Sequence, residues 1–407
     1  MKVLCVFGQH NYGDPVRGLG YEYTNFMPAL KNLGHEVLFF ESLNKAAYSD
    51  YAEMNRKLLQ LVEAEKPDLI FCVLMTYEIW LETLQLVREG SDAALIHWAT
   101  DDSWKYEQAS KFLAPLFDLH ATTYPSAMAK AEKDGLDNFV LSQWAADSSR
   151  MTPPLRADLC RYPVSFVGST YGNRKQWVEL LKQRGIHVDA FGYGWPNGPV
   201  AAEDIAGIMR ESQVSLNFGD SGVVIEDGKP VRSRQIKARV FEVPGAGGLL
   251  VTEKAEHLDE YYVPGEEIIV FDDIDDLVEK TEYLLAHPDR RDAIAQAGYA
   301  RTKAEHSYES RFGPLIKLAV ERRANRPAAA KQGIDFCRFE NIAKLYRPTF
   351  LLYLLKVLVL LPCLLVWGKQ RGPRAARRFL FEFSWRYMGK KTYSATNWAG
   401  RIFYKES

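Results

Sequence analysis

Several things are scarce in this chain of 407 residues. Its five cysteines, Cys5, Cys72, Cys160, Cys337 and Cys363, are odd in number and widely scattered. No two have metal-ligand or redox spacing, which excludes a disulfide scaffold and points to reduced thiols in a reducing compartment. A secretory signal is lacking: MKVLCVFG reads as a first buried strand, with one Lys before it and no small-residue cleavage site. No G-x-G-x-x-G follows that strand, which disfavours a dinucleotide-binding dehydrogenase. Short internal repeats are missing, so a solenoid is excluded. Net charge is scarce too, at a formal -1.

That small net charge hides a division. Residues 331–407 hold 15 Lys and Arg against 4 Asp and Glu, so an acidic body carries a basic tail. Such a tail suits an anionic surface, membrane or nucleic acid. The composition, 47% hydrophobic and 13% aromatic, is that of a folded chain with a large core.

Apolar runs of strand length recur from the start: KVLCVF, EVLFFE, DLIFCVL, AALIHWA, LHATTY and NFVLSQ. Amphipathic stretches separate them, such as EMNRKLLQLVEAE with Met54, Leu58, Leu59, Leu61 and Val62. The runs are continuous rather than alternating, as strands covered on both faces should be. Strands alternating with helices predict a parallel, doubly wound sheet. Paired prolines break the pattern in residues 148–162. It restarts with VSFVGS, HVDAFGY, VSLNFG, GGLLVTE and EIIVFD, and a helical run over 274–323 closes it. The expectation is two Rossmann-like α/β domains, at 1–150 and 160–326, facing each other across a cleft, with a tail at 335–407. Ligands of such sheets bind beyond the carboxyl ends of the strands.

The tail contains PTFLLYLLKVLVLLPCLLVW. Residues 349–367 as a helix reach roughly 28 Å, close to a bilayer core. Lys356 sits mid-run, at a cost of about 2.5–3.5 kcal/mol on insertion scales. Pro362 predicts a kink or hairpin. Basic residues flank both ends: Arg338, Lys344 and Arg347 before, and Lys369, Arg371, Arg374, Arg377 and Arg378 after. A true span would set the more basic flank outside, against the positive-inside tendency. The pattern favours a re-entrant or in-plane anchor, with peripheral or monotopic association at the cytoplasmic face. FLFEFSWRYMGKK, aromatic and then basic, suits the headgroup layer. The alternative is a hydrophobic hairpin packed on the body or in a dimer interface. A nucleic-acid-binding tail is disfavoured, because the cations border an apolar run.

One stretch carries a candidate site: KARVFEVPGAGGLLVTE, residues 237–253. A nucleotide offers vicinal ribose hydroxyls, which a carboxylate can accept, and a diphosphate, which needs backbone N–H groups and cations. Glu242, Arg239, Lys237 and the break at Gly245, Gly247 and Gly248 supply these types. An exposed helix end with a surface ion pair explains the pattern equally well.

RVFEVPGAGGLLVTE, followed by YYVPGEEIIVFDD and the closing H-x-Y-x-x-R-F at His306–Phe312, resembles the C-terminal half of a group 1 glycosyltransferase domain. It is most similar to the CgeB-like, spore-maturation-protein-like branch of GT-B-fold, two-domain glycosyltransferases. The resemblance covers residues 162–311. It implies that Glu242 grips the donor ribose. The family's first glutamate, eight residues earlier, is replaced by Arg234. FVGSTYGNRKQW would be the first strand and loop of the donor domain, where Gly168 turns the chain and Arg174 and Lys175 address the diphosphate. Asn217 either lines the cleft or caps a helix.

The N-terminal half matches more loosely. Gly18 and Gly20 lie between the first strand and first helix, placed for donor phosphate or acceptor, or simply in a long loop. IHWATDDSW resembles the branch's W-x-x-D-D signature, so one of Asp101 and Asp102 would point inward to take or orient an acceptor proton. His97 is a further candidate, or a satisfied core histidine. The resemblance implies a retaining transferase with no metal and no cofactor beyond the nucleotide-sugar donor substrate. The anchor suggests a lipid-linked acceptor, as in cell-envelope glycan assembly. The alternatives are a nucleotide-sugar epimerase of the same fold and a non-catalytic, membrane-tethered scaffold.

Overall fold

The computed structural model describes residues 1–75, 78–226, 229–329, 332–347 and 349–388. Pro348 and the stretch after Met388, including the lysines that end FLFEFSWRYMGKK, lie outside them. The chain forms two compact units. One is Met1–Ser142 with the residues from Pro314 onward, and the other is Gln143–Gly313.

The first unit is built on β1 (Lys2–Phe7), β2 (Glu36–Glu41), β3 (Leu69–Cys72), β4 (Ala94–Ala99), β5 (Leu119–Thr122) and β6 (Phe139–Leu141). They pair in the order β2-β1-β3-β4-β5-β6, all parallel. Register is plain at Leu4, which pairs with Leu38 on one side and Ile70 on the other. The continuous apolar runs of the inner strands β1, β3, β4 and β5 are buried, as helices on both faces require, whereas the edge strands β2 and β6 are only partly so. EMNRKLLQLVEAE falls in helix Tyr51–Glu65, started by Asp50, whose side chain accepts from Glu53 N at 2.8 Å. Met54, Leu58, Leu59 and Val62 face the core. Strand order reverses between β1 and β3, so the loop after β1 opens at the switch point of this sheet.

The second unit carries β7 (Tyr162–Val167), β8 (Asp189–Phe191), β9 (Ser212–Asn217), β10 (Asp220–Glu226), β11 (Lys229–Arg234), β12 (Leu250–Glu253) and β13 (Ile269–Phe271). Five form a parallel sheet ordered β13-β12-β9-β7-β8, whose switch point lies between β7 and β9. β10 and β11 are a separate antiparallel hairpin beyond the carboxyl end of β9. That hairpin is absent from the pattern of apolar runs. The helical run expected over 274–323 is three helices, Ile274–Ala286, Pro288–Glu305 and Tyr308–Ala324. It breaks at His287, before Pro288, and again at His306.

Residues after Pro314 extend the first unit's core. Helix Phe336–Tyr346 lays Tyr346 on Trp80, with ring centroids 3.8 Å apart and planes at 7°. Phe339 stacks on the same indole at 6.1 Å. The Tyr346 hydroxyl donates to Glu82 at 2.9 Å, and Arg56 grips Glu340 through two bonds of 2.6 and 3.0 Å. Stacking of this kind adds about 0.5–1.5 kcal/mol beyond the area it buries.

Helical residues then run from Phe350 to Met388, with a reversal at Gly368 (φ 71°, ψ -179°). A Cβ at Gly372 would lie 2.8 Å from the Leu364 Cα, so the second arm folds back on the first. The hairpin foreseen at Pro362 thus turns six residues later. Proline stays inside a helix when its neighbours absorb the lost bond, whereas a φ of this sign favours glycine.

Tight backbone packing in the second unit makes a sharp test. Gly247 sits at φ +83°, and a Cβ there would lie 2.5 Å from the Thr152 carbonyl oxygen. Gly247→Ala is expected to cost about 2–4 kcal/mol in denaturant unfolding.

Candidate functional site

Side chains converge on the carboxyl ends of β7, β9 and β12. β7 ends at Val167, and Gly168 turns the chain, donating to Phe191 O at 2.8 Å and accepting from Trp195 Nε1 at 2.7 Å. Helix Arg174–Gln183 then begins. Arg174 lies over the Phe166 ring at 5.5 Å, and its Nη1 donates to Ser169 O at 3.1 Å. Its Nε is buried with no hydrogen-bond partner among the described residues. From helix Arg239–Gly245, Arg239 Nε donates to Val167 O at 3.1 Å, and its guanidinium pairs with Glu242. Burial and the neighbouring Arg239 charge both push the Arg174 guanidinium below its ordinary value. Two guanidiniums thus meet at one strand end, where Glu242 pairs with Arg239 and the Asp220 carboxylate acts on Arg174. Lys237, half-buried, precedes them. Among the expected residues, the structure brings Arg174, Arg239 and Glu242 together.

The support beneath Glu242 comes from the closing H-x-Y-x-x-R-F. Arg311 lies over the rings of Phe241 and Tyr261 at 5.6 and 5.5 Å. It donates to His306 Nδ1 at 3.0 Å, so the His306 proton sits on Nε2 and goes to Tyr261 O at 2.8 Å. Tyr308 and Phe312 are fully buried. This motif fixes the residue next to Glu242 and positions the helix that carries it.

The glycine break serves packing. Gly245, Gly247 and Gly248 are buried, and Cβ atoms on them would meet Ala146, Thr152 O and Met209 O at 2.5–2.7 Å. The Gly247 and Gly248 amides donate to Pro244 O and Val243 O at 3.0 and 2.9 Å. Those N–H groups are already committed, which corrects the reading of this turn as a phosphate cradle. Asn217 neither caps nor lines: it donates to Thr252 Oγ1 at 2.9 Å inside the sheet.

Sequence reasoning missed the β10–β11 hairpin and what it carries. Arg232 donates to Glu253 at 2.5 and 3.0 Å, to Asp220 at 3.2 Å and to Asn173 Oδ1 at 3.2 Å. Arg234 adds a contact to Glu253 at 3.1 Å, and Gly219 N donates to the same carboxylate at 3.0 Å. Glu253 is fully buried at the end of β12. The overlooked signal was Asp227-Gly228 between two β-prone runs, a hairpin signature.

In the first unit, Asp101 and Asp102 point apart, as adjacent acids on one strand end should. Asp101, with its side chain 39% exposed, pairs with Lys105 at 3.4 Å. Both charges act on Glu22 of helix Tyr21–Asn32, whose carboxyl burial pushes up. Asp102 is fully buried. It accepts from Ser110 Oγ at 2.5 Å and contacts His120 Nε2 at 3.3 Å. His120 Nδ1 lies 3.1 Å from His97 Nδ1, and Leu74 N–H donates to His97 Nε2 at 3.4 Å. The bonds place the His97 proton on Nδ1 and a His120 proton on Nε2, donated to Asp102. His97 is thus the satisfied core histidine, and Asp102 anchors the strand end rather than meeting solvent.

Gly18 (φ +76°) and Gly20 lie in the loop after β1. Gly20 N donates to Gln9 O at 2.7 Å, and a Cβ on it would stand 3.0 Å from Gly8 O. Gly18 has open space around it.

Two parallel-sheet units of this kind, with cations gathered at the carboxyl ends of the second sheet, define a GT-B-like fold. Residues 174–317 match a family model described as glycosyl transferase-like. Among solved structures, the chain is similar to a sucrose-phosphate synthase from Thermosynechococcus elongatus. They share 14% identity and a TM-score of 0.56, over 80% of this chain and 100% of that one. It is also similar to Anabaena HepE, solved in complex with UDP, at 12% identity and a TM-score of 0.51, over 78% and 100% of the chains. A DNA-modifying β-glucosyltransferase, studied with and without uridine diphosphoglucose, gives 14% and 0.51 over 79% and 100%. Likeness at such identities establishes the fold. Comparison with curated proteins finds no match.

Buried titratable groups set the acid response. Burial and neighbouring His120 hold His97 well below its usual value, and burial holds His306 at about 4. Burial raises the Asp102 carboxyl, but His120 and the Ser110 and Thr122 hydroxyls outweigh it and hold it at about 2. Unfolded histidine takes a proton near pH 6.5, and these folded ones do not. Stability is therefore full above that pH and falls as pH drops, by up to about 1.4 kcal/mol per pH unit for each group. The Asp102 contribution is lost only below about pH 4, as pH falls toward its folded value. Thermal unfolding across a pH series should show both stages, with His306→Gln flattening the first.

Proposed function

We propose that this protein is a glycosyltransferase of the CgeB-like branch. It moves a sugar from a nucleotide-diphosphate donor to a hydroxyl acceptor. The observation that carries this reading is the pair of guanidiniums, Arg174 and Arg239, crowded at the end of β7 beside Glu242. Like charges held together at a strand end call for an anion of matching size. The diphosphate supplies it, and Glu242 takes the vicinal ribose hydroxyls. Charge builds on the departing nucleoside diphosphate as the sugar–phosphate bond breaks. Arg174 and Arg239 stabilise that charge, the work a divalent cation performs in other transferases. Lys237 extends the same cationic edge. Anabaena HepE is solved with UDP, which supports a donor of this class.

On the acceptor side, Asp101 is the carboxylate with an exposed face. It accepts or orients the acceptor proton. Asp102 and His97 are positioning residues, holding the loop that presents Asp101. Retention of configuration is the outcome that the family resemblance implies. The acceptor is a lipid-linked glycan of the cell envelope, handled at the inner face of the membrane. The apolar C-terminal helix, Phe350–Lys369, long enough to cross a membrane and with 6% of its most apolar window buried, supports that placement.

The test is donor turnover by the purified full chain across a panel of nucleotide sugars, with products identified by mass. One nucleotide sugar should be cleaved, and Arg174→Ala should lower kcat/KM about 100-fold. Glu242→Ala should raise KM with a smaller effect on kcat. Turnover of none, or wild-type turnover in Glu242→Ala, would overturn the reading.

A further inference from the structure

The C-terminal hairpin divides its two faces in a way that fixes how it can meet a lipid surface. On the first arm, Leu351, Leu354, Leu358, Leu361 and Leu365 recur at spacings of three and four. They form one stripe, exposed from 44% at Leu354 to 87% at Leu365. On the opposite stripe, Leu352 and Val359 pack against the first unit's core, and Cys363 is buried. Lys356 falls on this same inward stripe and is half-buried, so the cation that interrupts the apolar run is turned away from the exposed leucines. On the second arm, Leu380 belongs to the same core, and Ala376 and Ser384 are buried one turn to each side. Phe379, Phe383 and Tyr387, spaced by four, stand exposed at 58%, 48% and 75%.

The hairpin is therefore fastened to a globular unit at Leu352, Val359 and Leu380. It cannot stand upright in a bilayer without tearing Leu352, Val359 and Leu380 from that core. Charge agrees with a flat pose. Between Glu340 and Glu382 there are eight Lys and Arg and no Asp or Glu. Lys369 and Arg371, exposed at the turn, sit at the tip that an upright pin would drive deepest.

We propose that the leucine and aromatic stripes of this hairpin dock in the plane of one leaflet of an anionic phospholipid bilayer, without crossing it. The apolar face enters about 5–10 Å, to the boundary of headgroups and acyl chains, while the surrounding cations meet lipid phosphates. This deepens the membrane placement proposed above. It does not depend on the transfer chemistry, because its readout is lipid binding.

The experiment is flotation of the full chain with vesicles of phosphatidylcholine, alone or mixed with phosphatidylglycerol. The expected result is binding that needs the anionic lipid, weakens in high salt and is released by alkaline carbonate. Leu358→Glu combined with Leu365→Glu should cut the bound fraction about tenfold. Both side chains are exposed, so the thermal midpoint should hold. Resistance to carbonate would mean a spanning segment and overturn the flat pose. Binding unaffected by the two substitutions would overturn the face assigned here. Failure to bind any vesicle would overturn the lipid partner; a dimer dispersed by the same substitutions would then assign the face to a second copy. Loss of donor turnover with vesicle binding intact would count against the transferase reading alone.

Discussion

The second unit depends on holding two guanidiniums beside each other at the end of one strand. Burial and mutual repulsion both oppose the charged state of Arg174, yet the surrounding structure keeps it there. Phe166 offers its ring face below, Ser169 accepts one N–H, and the Val167 carbonyl ties Arg239 to the same strand end. Glu242 compensates Arg239, and the Asp220 carboxylate partly offsets the opposition at Arg174. The rest of the unit maintains this arrangement. Arg311 stacks on Phe241, and His306 bridges Arg311 to the Tyr261 backbone, so the short helix bearing Arg239 and Glu242 cannot shift alone. The glycines that follow let that helix turn into β12 at backbone-to-backbone contact.

The first unit solves a different problem. Its sheet buries two histidines and a carboxylate where three polar groups must satisfy one another or cost several kcal/mol. The chain Leu74–His97–His120–Asp102 does so with one consistent set of protons. It ties β3, β4 and β5 to the start of the helix after β4. The visible result is that Asp101, beside buried Asp102, has a fixed place at the strand end. His97 and Asp102 are buried members of this clamp, not groups that face solvent.

Much of this was legible in the sequence because it rests on local rules. Continuous apolar runs such as KVLCVF and VSLNFG became parallel strands, since a sheet covered on both faces leaves no alternation. The acid and cations around Glu242 were legible as residue types. What escaped was decided by tertiary contact. Nothing local says that the Gly247 amide serves Pro244 rather than a phosphate, or that Asp102 turns to His120, eighteen residues later. The β10–β11 hairpin escaped because many of its residues are polar, so it leaves little trace in the hydrophobic pattern. Pro362 drew attention as the breaker of the apolar helix, whereas the reversal needed the conformational freedom of Gly368.

The central claim is that the paired guanidiniums are built for a diphosphate. Titration calorimetry with a nucleoside, its monophosphate and its diphosphate, at several salt concentrations, tests it most directly. The account predicts affinity rising steeply with each phosphate, a gain that shrinks as salt increases, and loss of the diphosphate's advantage in Arg174→Ala. Equal affinity for all three ligands, or an advantage that survives the substitution, would contradict it.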